Sequence, residues 1–560
     1  MKNGWQNFFS AEGGSPPGGG RGASGGKDKR ITLMGLGLLG RGVGDAAFLA
    51  QCGAKVLVTD KKSAKELASS VAKLKRFRNI RFRLGGHDLR DFSARGGHGA
   101  DMILKAAGVP LDSPYIAEAR KNKVPVYMST ALFVKLLPEG TTVIGVTGTR
   151  GKTTTAFLLF EILKKQFQIS NFKFQNEKEK RTPKVFLGGN VQGISTLALL
   201  PKIKSGDFVV LELDSWQLQG FGDLRISPQV AVFTTFLPDH MNYYNGSMRR
   251  YFEDKARIFK YQRSNEATKQ ESTRVLWKTQ ARFCLEEELR DGKRRNLAQS
   301  FPQRESSHVF IAGEQAMPFV KKWEPKHARR AVVARASDVP KNWKLKILGE
   351  HNRYNAACAL RAADTLGIPR AVTKKAVESF RGVPGRLEFV RDVRGVKIYN
   401  DTTATTPEAT IAALRALGGS NQSNVSKSRT RHSNILKNVR MSCEVDERKI
   451  ILIMGGADKG LDMSGLVKEI PKWCKAVVLL TGSGTEKFQI SNFKFLNKFQ
   501  IPNSKFQILE AKTLKESVVR ALEMAKSGDI ILFSPAFASF GMFKNEYDRG
   551  EQFNKLVCRK

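Results

Sequence analysis

The feature that most constrains this chain is a glycine turn that closes an apolar strand and opens a helix. The run Thr142-Val-Ile-Gly-Val-Thr147 reads as the strand, Ala156-Phe-Leu-Leu-Phe lies in the helix, and Gly148-Thr149-Arg150-Gly151-Lys152-Thr153-Thr154 joins them. In such a loop successive backbone N–H groups wrap a phosphate chain, the lysine places a point charge on it, and the hydroxyl after the lysine can ligate Mg²⁺. The spacing departs from the strict phosphate-loop pattern, because position 146 is Val and the earlier glycine is Gly145.

The same alternation recurs on both sides. Arg30–Met34 reads as a strand, Gly35-Leu-Gly37-Leu38-Leu-Gly40 as a turn, Arg41–Cys52 as a helix and Lys55–Asp60 as a second strand, a βαβ unit. Further strands are expected at Ile450–Met454, Ala476–Leu480 and Ile530–Phe533. Repeated β–α alternation implies parallel sheets covered by helices. The expected fold is therefore α/β with three domains: Rossmann-like at 30–127, phosphate-loop ATPase-like at 128–383 and Rossmann-like again at 384–560. Residues 1–29, rich in Gly, Ser and Pro, read as a disordered tail. Phe167–Phe174 recurs identically as Phe488–Phe495 and reads as inserted low-complexity sequence, as does the polar, basic stretch 420–448. The stretch 263–341 is weakly patterned and carries no assignment.

Composition narrows the class. At 560 residues with 41% hydrophobic content the chain can bury proper cores, and no apolar run is long enough to span a membrane. Six scattered cysteines without metal-type spacing suggest free thiols in a reducing cytoplasm. The net charge of +42 favours anionic partners, but Lys and Arg are spread along the chain and no basic helix with interleaved aromatics points to nucleic acid.

Three further segments carry chemistry. Gly35-x-Gly37-x-x-Gly40 lets a phosphate approach a helix N-terminus, with Asp60 placed to take ribose hydroxyls; alone it does not choose between NAD and another nucleotide. Glu212 ends the strand Phe208–Leu211, where a carboxylate suits Mg²⁺. Asp239-His240 follows the apolar strand from Val230 and suits metal or phosphate contact. No Ser/His/Asp or Cys/His constellation stands out.

In this order the segments resemble the Mur ligase family, and within it the branch that adds D-glutamate to UDP-N-acetylmuramoyl-L-alanine. The resemblance is carried by Gly148–Thr153, Glu212-Leu-Asp-Ser-Trp-Gln-Leu, Asp239-His-Met, Tyr251-Phe-Glu-Asp-Lys255, His351-Asn352-x-x-Asn355, Gly385-Arg386-Leu-Glu, Asn400-Asp401-Thr-Thr-Ala-Thr405, Gly455-Gly-Ala-Asp-Lys459 and Ser534-Pro-Ala-Phe-Ala-Ser539. It implies an ATP-dependent amide ligase of peptidoglycan precursor synthesis, cytoplasmic and monomeric, working through an acyl phosphate. Lys152, His240 and Lys255 would be catalytic. Gly148 to Thr154, Asn352, Asn355, Arg386 and Asp401 would hold ATP. Thr153, Glu212, His240 and a carbamylated Lys255 would ligate two Mg²⁺ ions. Leu38, Asp60, Gly108, Asn190, Thr405, Lys459 and Ser539 would contact the nucleotide-sugar and the incoming glutamate. Arg150 stands where the family usually has Asn, while Thr403 and Glu546 depart from its glutamate pocket, so an L-glutamate-adding relative or another glutamate ligase of this fold is the alternative.

Overall fold

The computed structural model describes residues 8–9, 29–37, 40–94, 99–110, 112–169, 181–191, 193–262, 308–419, 448–486, 488, 507–539 and 541–558. It divides into two compact bodies, one made of residues 1–341 with 355–377, the other of 342–354 with 378–560.

The first body holds two parallel sheets. β1 (Arg30–Met34), β2 (Lys55–Asp60), β3 (Ile80–Leu84), β4 (Met102–Lys105) and β5 (Val126–Met128) lie in the order β3-β2-β1-β4-β5. β6 (Thr142–Thr147), β7 (Val185–Gly189), β8 (Phe208–Glu212), β9 (Val230–Phe233), β10 (Val309–Gly313) and β11 (Val332–Ala334) lie in the order β11-β10-β9-β6-β8-β7. β6 and β8 are buried along nearly their whole length, which is why they read as continuous apolar runs and not as alternating ones. In both sheets the chain reverses direction at a strand that carries a glycine turn: β1 has β2 and β4 as neighbours, and β6 has β8 and β9. Ligands of open α/β sheets bind at such switch points, beyond the carboxyl ends of the strands.

A seam joins the two sheets. Ser195 Oγ donates to Asp45 Oδ1 at 2.6 Å, and a Cβ on Gly44 would come within 2.4 Å of Ser195 Cβ, so the helix Arg41–Gln51 sits tight against the segment after β7. Burial pushes the Asp45 carboxyl up to about 6, and hydrogen bonds from Ser195 and Ser129 oppose that rise.

The second body is a sheet of β12 (Glu388–Val393), β13 (Val396–Asn400), β14 (Ile450–Gly455), β15 (Cys474–Leu480), β16 (Gln507–Ala511) and β17 (Ile530–Phe533), ordered β12-β13-β17-β14-β15-β16. It is not wholly parallel. β12 and β13 form an antiparallel hairpin at its edge, closed by Arg394-Gly395, both at positive φ.

Three sequence expectations change. Phe8 and Phe9 fall within the expected tail, yet Phe9 is fully buried, edge-on to Phe48 with ring centroids 5.7 Å apart, and Lys29 donates to the Phe8 carbonyl at 2.7 Å. The two Phe-Gln-Ile-Ser repeats begin inside the fold. Phe167 ends the helix Lys152–Ile169 against Phe208, and Phe488 packs on Phe537. The rest of both repeats, stretch 420–447 and most of the unassigned stretch, 263–307, lie outside the described residues, whereas 308–341 adds two parallel strands to the central sheet. Of the cysteines, Cys52, Cys358, Cys474 and Cys558 are free thiols, and among the described residues no helix is long and apolar enough to cross a membrane.

The buried ring gives a direct check on the N-terminal segment. Phe9→Ala is expected to lower the unfolding free energy of the first body by about 3 kcal/mol, measured by urea denaturation; a flexible tail would leave it unchanged.

Candidate active site

The glycine loop of β6 is held from below by the end of β9. Thr149 N donates to Thr235 O at 2.8 Å, Arg150 N to Thr235 Oγ1 at 2.8 Å, and Thr234 Oγ1 to Arg150 O at 2.6 Å. Two amides expected to wrap phosphate are thus spent on shaping the loop. The first helical bond runs from Thr155 N to Gly151 O at 3.0 Å, so Lys152, Thr153 and Thr154 occupy the positive end of the helix, where an anion is favoured. Gly148 has φ +149° and a Cβ there would lie 2.0 Å from Thr234 Oγ1; Gly151 has φ +83° and a Cβ would lie 2.2 Å from Asn355 Oδ1. Both positions exclude a side chain, and the second brings Asn355 of the helix Glu350–Thr365 against the loop.

Lys152 Nζ donates to Gly148 O at 2.9 Å and to Thr149 O at 3.1 Å. Lys255, on the helix Met248–Lys260, is 1% exposed and donates to the same Gly148 O at 3.0 Å. Its amine lies 4.8 Å from the centre of the Tyr251 ring, one turn earlier on the same helix. Burial first, and the Lys152 charge second, hold the Lys255 amine well below the usual lysine range.

Glu212 ends β8 in register with Val146 of the loop strand on one side and Gly189 of β7 on the other, and is 3% exposed. One residue past β8, Asp214 caps the helix Ser215–Leu224 by accepting from Gln217 N at 2.7 Å, and Gln217 returns the bond. That helix sets Trp216 with its ring centre 4.9 Å from His240. His240 has φ +55°, a conformation uncommon outside glycine, and desolvation lowers its pKa despite Asp239 beside it.

These donors fit a magnesium ion. A hydroxyl at Thr153 and a buried carboxylate at Glu212 are hard oxygen ligands, and a His kept neutral offers a lone pair. Among the described residues no group of three or more His, Cys, Asp or Glu is preassembled for a metal. The set is short because its remaining oxygens would come from phosphate and from a modified Lys255.

At the first sheet, the Asp60 carboxylate accepts from Leu36 N at 2.8 Å, Gly37 N at 3.1 Å and Lys62 N at 2.9 Å, so this acid fixes the glycine turn, a task its spacing alone did not suggest. Gly108 lies beyond β4 with open space around its Cα, and Leu38 lies outside the described residues. Asn190 follows β7. Its N–H donates to Glu212 O at 2.7 Å, and its Oδ1 accepts from Arg41 Nη1 at 2.8 Å.

In the second body, loops after β13, β14 and β17, three neighbouring strands, converge. Lys459 Nζ donates to Thr405 Oγ1 at 2.9 Å, and Ala457 pairs with Ala538 beside the buried Ser539. Asp401 accepts from Leu387 N and Ser534 Oγ, each at 2.9 Å, and burial pushes its carboxyl up to about 7. Arg386 is exposed next to Leu387, and Asn352 Nδ2 donates to Leu348 O at 2.8 Å. Sequence reading missed Arg549. It is fully buried and ties two of these loops together by donating to Thr402 O at 2.8 Å and Phe537 O at 3.2 Å. It also missed Tyr251, whose hydroxyl lies 3.4 Å from Thr149 Oγ1; the spacing of four residues to Lys255 on one helix was the available signal.

A phosphate loop and a strand-end carboxylate in one sheet, with a Rossmann-like sheet before it and another after, define the class of the Mur ligases. Residues 146–363 match the family model described as the Mur ligase middle domain. Across 94% of its length the chain is 34% identical to the UDP-N-acetylmuramoylalanine–D-glutamate ligase of Roseiflexus sp. (strain RS-1), covering 98% of it. It is 31% identical to the ligase of the same name from Borreliella afzelii (strain PKo), over 95% of this chain and 98% of that one. In fold it is similar to the crystal structure of UDP-N-acetylmuramate–alanine ligase from Thermotoga maritima, with a TM-score of 0.50 and 18% identity over 94% of this chain and 99% of that one. The chain belongs to the Mur ligase family, alongside the relatives that carry the D-glutamate ligase name.

Gly151 gives the sharpest check on the loop. Gly151→Ala is expected to weaken binding of a non-hydrolysable ATP analogue at least ~10-fold by calorimetry, since the added methyl must displace the Asn355 side chain. Unchanged affinity would separate nucleotide binding from this turn.

Proposed function

We propose that this chain joins D-glutamate to UDP-N-acetylmuramoyl-L-alanine in an ATP-driven amide ligation, with the cluster around Gly148 as its reaction centre. The observation that carries the reading is the pair Lys152 and Lys255, both bonded to the Gly148 carbonyl beside the strand that ends in Glu212.

A carboxylate is a poor electrophile, so the alanyl carboxylate first attacks the γ-phosphorus of ATP, releasing ADP and giving an acyl phosphate. Phosphoryl transfer depends mainly on positioning and charge neutralisation. Lys152 leaves its carbonyl partners for the phosphates, and the helix N-terminus behind it adds a fixed positive end. The glutamate amine then attacks the acyl carbon, and the tetrahedral intermediate expels inorganic phosphate as the nitrogen loses its proton. No enzyme-bound covalent intermediate is needed.

Thr153, Glu212 and His240 would hold Mg²⁺, which supplies charge neutralisation and orientation of the phosphates when bound. Two cations against one carbonyl repel each other, and burial already favours the neutral Lys255 amine. A neutral amine is the form that adds CO₂, losing a proton and becoming a carbamate, which would turn this position into an anionic metal ligand. Asn352, Asn355, Arg386 and Asp401 would complete the ATP site. Asp60, Gly108 and Asn190 would serve the nucleotide-sugar, and Thr405, Lys459 and Ser539 the glutamate carboxylates. The protein would work as a cytoplasmic monomer.

Phosphate release with ATP, UDP-N-acetylmuramoyl-L-alanine and either D- or L-glutamate tests the reading. D-Glutamate is expected to support turnover and L-glutamate is not; the reverse would reassign the amino acid. Lys152→Ala is expected to lower the rate at least ~1,000-fold. Lys255→Ala is expected to be inactive and partly restored by formate or acetate, whereas full activity in that variant would remove the carbamate role.

A further inference from the structure

Arg41 belongs to none of the sites above, yet it reaches across the seam to one of them. It is the first residue of the helix that follows the Gly35–Gly40 turn, and its Nη1 donates to Asn190 Oδ1 at 2.8 Å across 149 positions of sequence. Both ends of this bond are anchored. On one side the helix is fixed by Ser195 Oγ on Asp45 at 2.6 Å, and by Gly44, which has no room for a Cβ against Ser195. On the other, Asn190 N donates to Glu212 O, and Gly189, at φ +85°, would set a Cβ 2.1 Å from that same oxygen.

Chemistry then decides how the Asn190 amide is turned. A carboxamide has one accepting and one donating edge, and a guanidinium only donates. The Asn190 oxygen must therefore face Arg41, which leaves the NH₂ as the edge available to a ligand beside Glu212. A substrate carboxylate, or the acyl phosphate formed from it, needs donors there; an amide turned the other way would present an oxygen to an anion.

We propose that Arg41 is a positioning residue, which locks the Asn190 carboxamide so that its NH₂ edge is presented to the anionic acyl end of the nucleotide-sugar. This rests on the functional reading above. It adds that the first glycine turn and the reacting carboxylate are linked through one side chain, so that recognition of the two ends of the nucleotide-sugar is coupled.

The test is steady-state kinetics on the full chain, with thermal unfolding recorded for each variant. Arg41→Met is expected to raise KM for UDP-N-acetylmuramoyl-L-alanine about 10-fold and to leave KM for ATP and for D-glutamate within about 2-fold. Arg41→Lys, which keeps a donor, is expected to recover part of the loss. Asn190→Asp, which retains an acceptor for Arg41 but has no donating edge, is expected to lose more than Arg41→Met at an unchanged unfolding temperature. In an Asn190→Ala background Arg41→Met is expected to have no further effect on that KM. Additive losses, or a fall in unfolding temperature with all three KM values moving together, would reduce Arg41 to a structural contact and overturn the proposal. So would an unchanged nucleotide-sugar KM in an active Arg41→Met enzyme. A wild-type protein that releases no phosphate with this substrate would instead defeat the functional reading itself.

Discussion

The carbonyl of Gly148 is the point on which the reaction centre depends. It accepts from two lysines, one at the start of the helix that follows it and one buried on a helix more than a hundred residues later. Only a glycine can sit there, because the turn brings its Cα against Thr234. Two ammonium groups at one oxygen in a poorly hydrated place are a poor ground state unless an anion arrives or one amine gives up its proton. That tension suits a site for phosphate and metal. The charge pattern of the protein alone favours a polyphosphate at this position, and the buried Glu212 favours a cation to accompany it.

The surrounding architecture serves to hold that oxygen and its partners still. β6 lies between β8 and β9, so the loop has Glu212 on one flank and the Thr234-Thr235 bonds on the other. Conformational strain collects where the reactive groups are: His240 near the loop, and Leu387 and Ala536 near the converging loops of the second body, all take positive φ. The switch-point strands β1 and β6 each carry a glycine turn, and Arg41 and Asn190 connect the segments beyond them.

The sequence was informative wherever a function is written within one short segment. A strand–glycine–helix junction is local, so the phosphate loop, the turn at Gly35–Gly40 and the strand-end Glu212 could be read from residue order alone. Contacts that join distant segments could not. The Arg41–Asn190 bond, the Tyr251–Thr149 approach and the two loops held by Arg549 depend on topology that spacing does not encode. Phe9 was hidden by the glycine-rich stretch behind it, and β10 and β11 by a long weakly patterned insertion ahead of them. Asp60 shows the opposite error: its position near the end of β2 was right, but three backbone amides claim its carboxylate.

The central claim, that the alanyl carboxylate is activated by phosphorylation in the Gly148 cluster, is tested most directly by oxygen transfer. UDP-N-acetylmuramoyl-L-alanine labelled with ¹⁸O in its carboxylate would be turned over with ATP and D-glutamate, and the released phosphate examined by ³¹P NMR. An acyl phosphate intermediate delivers one labelled oxygen to inorganic phosphate for each amide formed. Amide formation with wholly unlabelled phosphate would contradict the account.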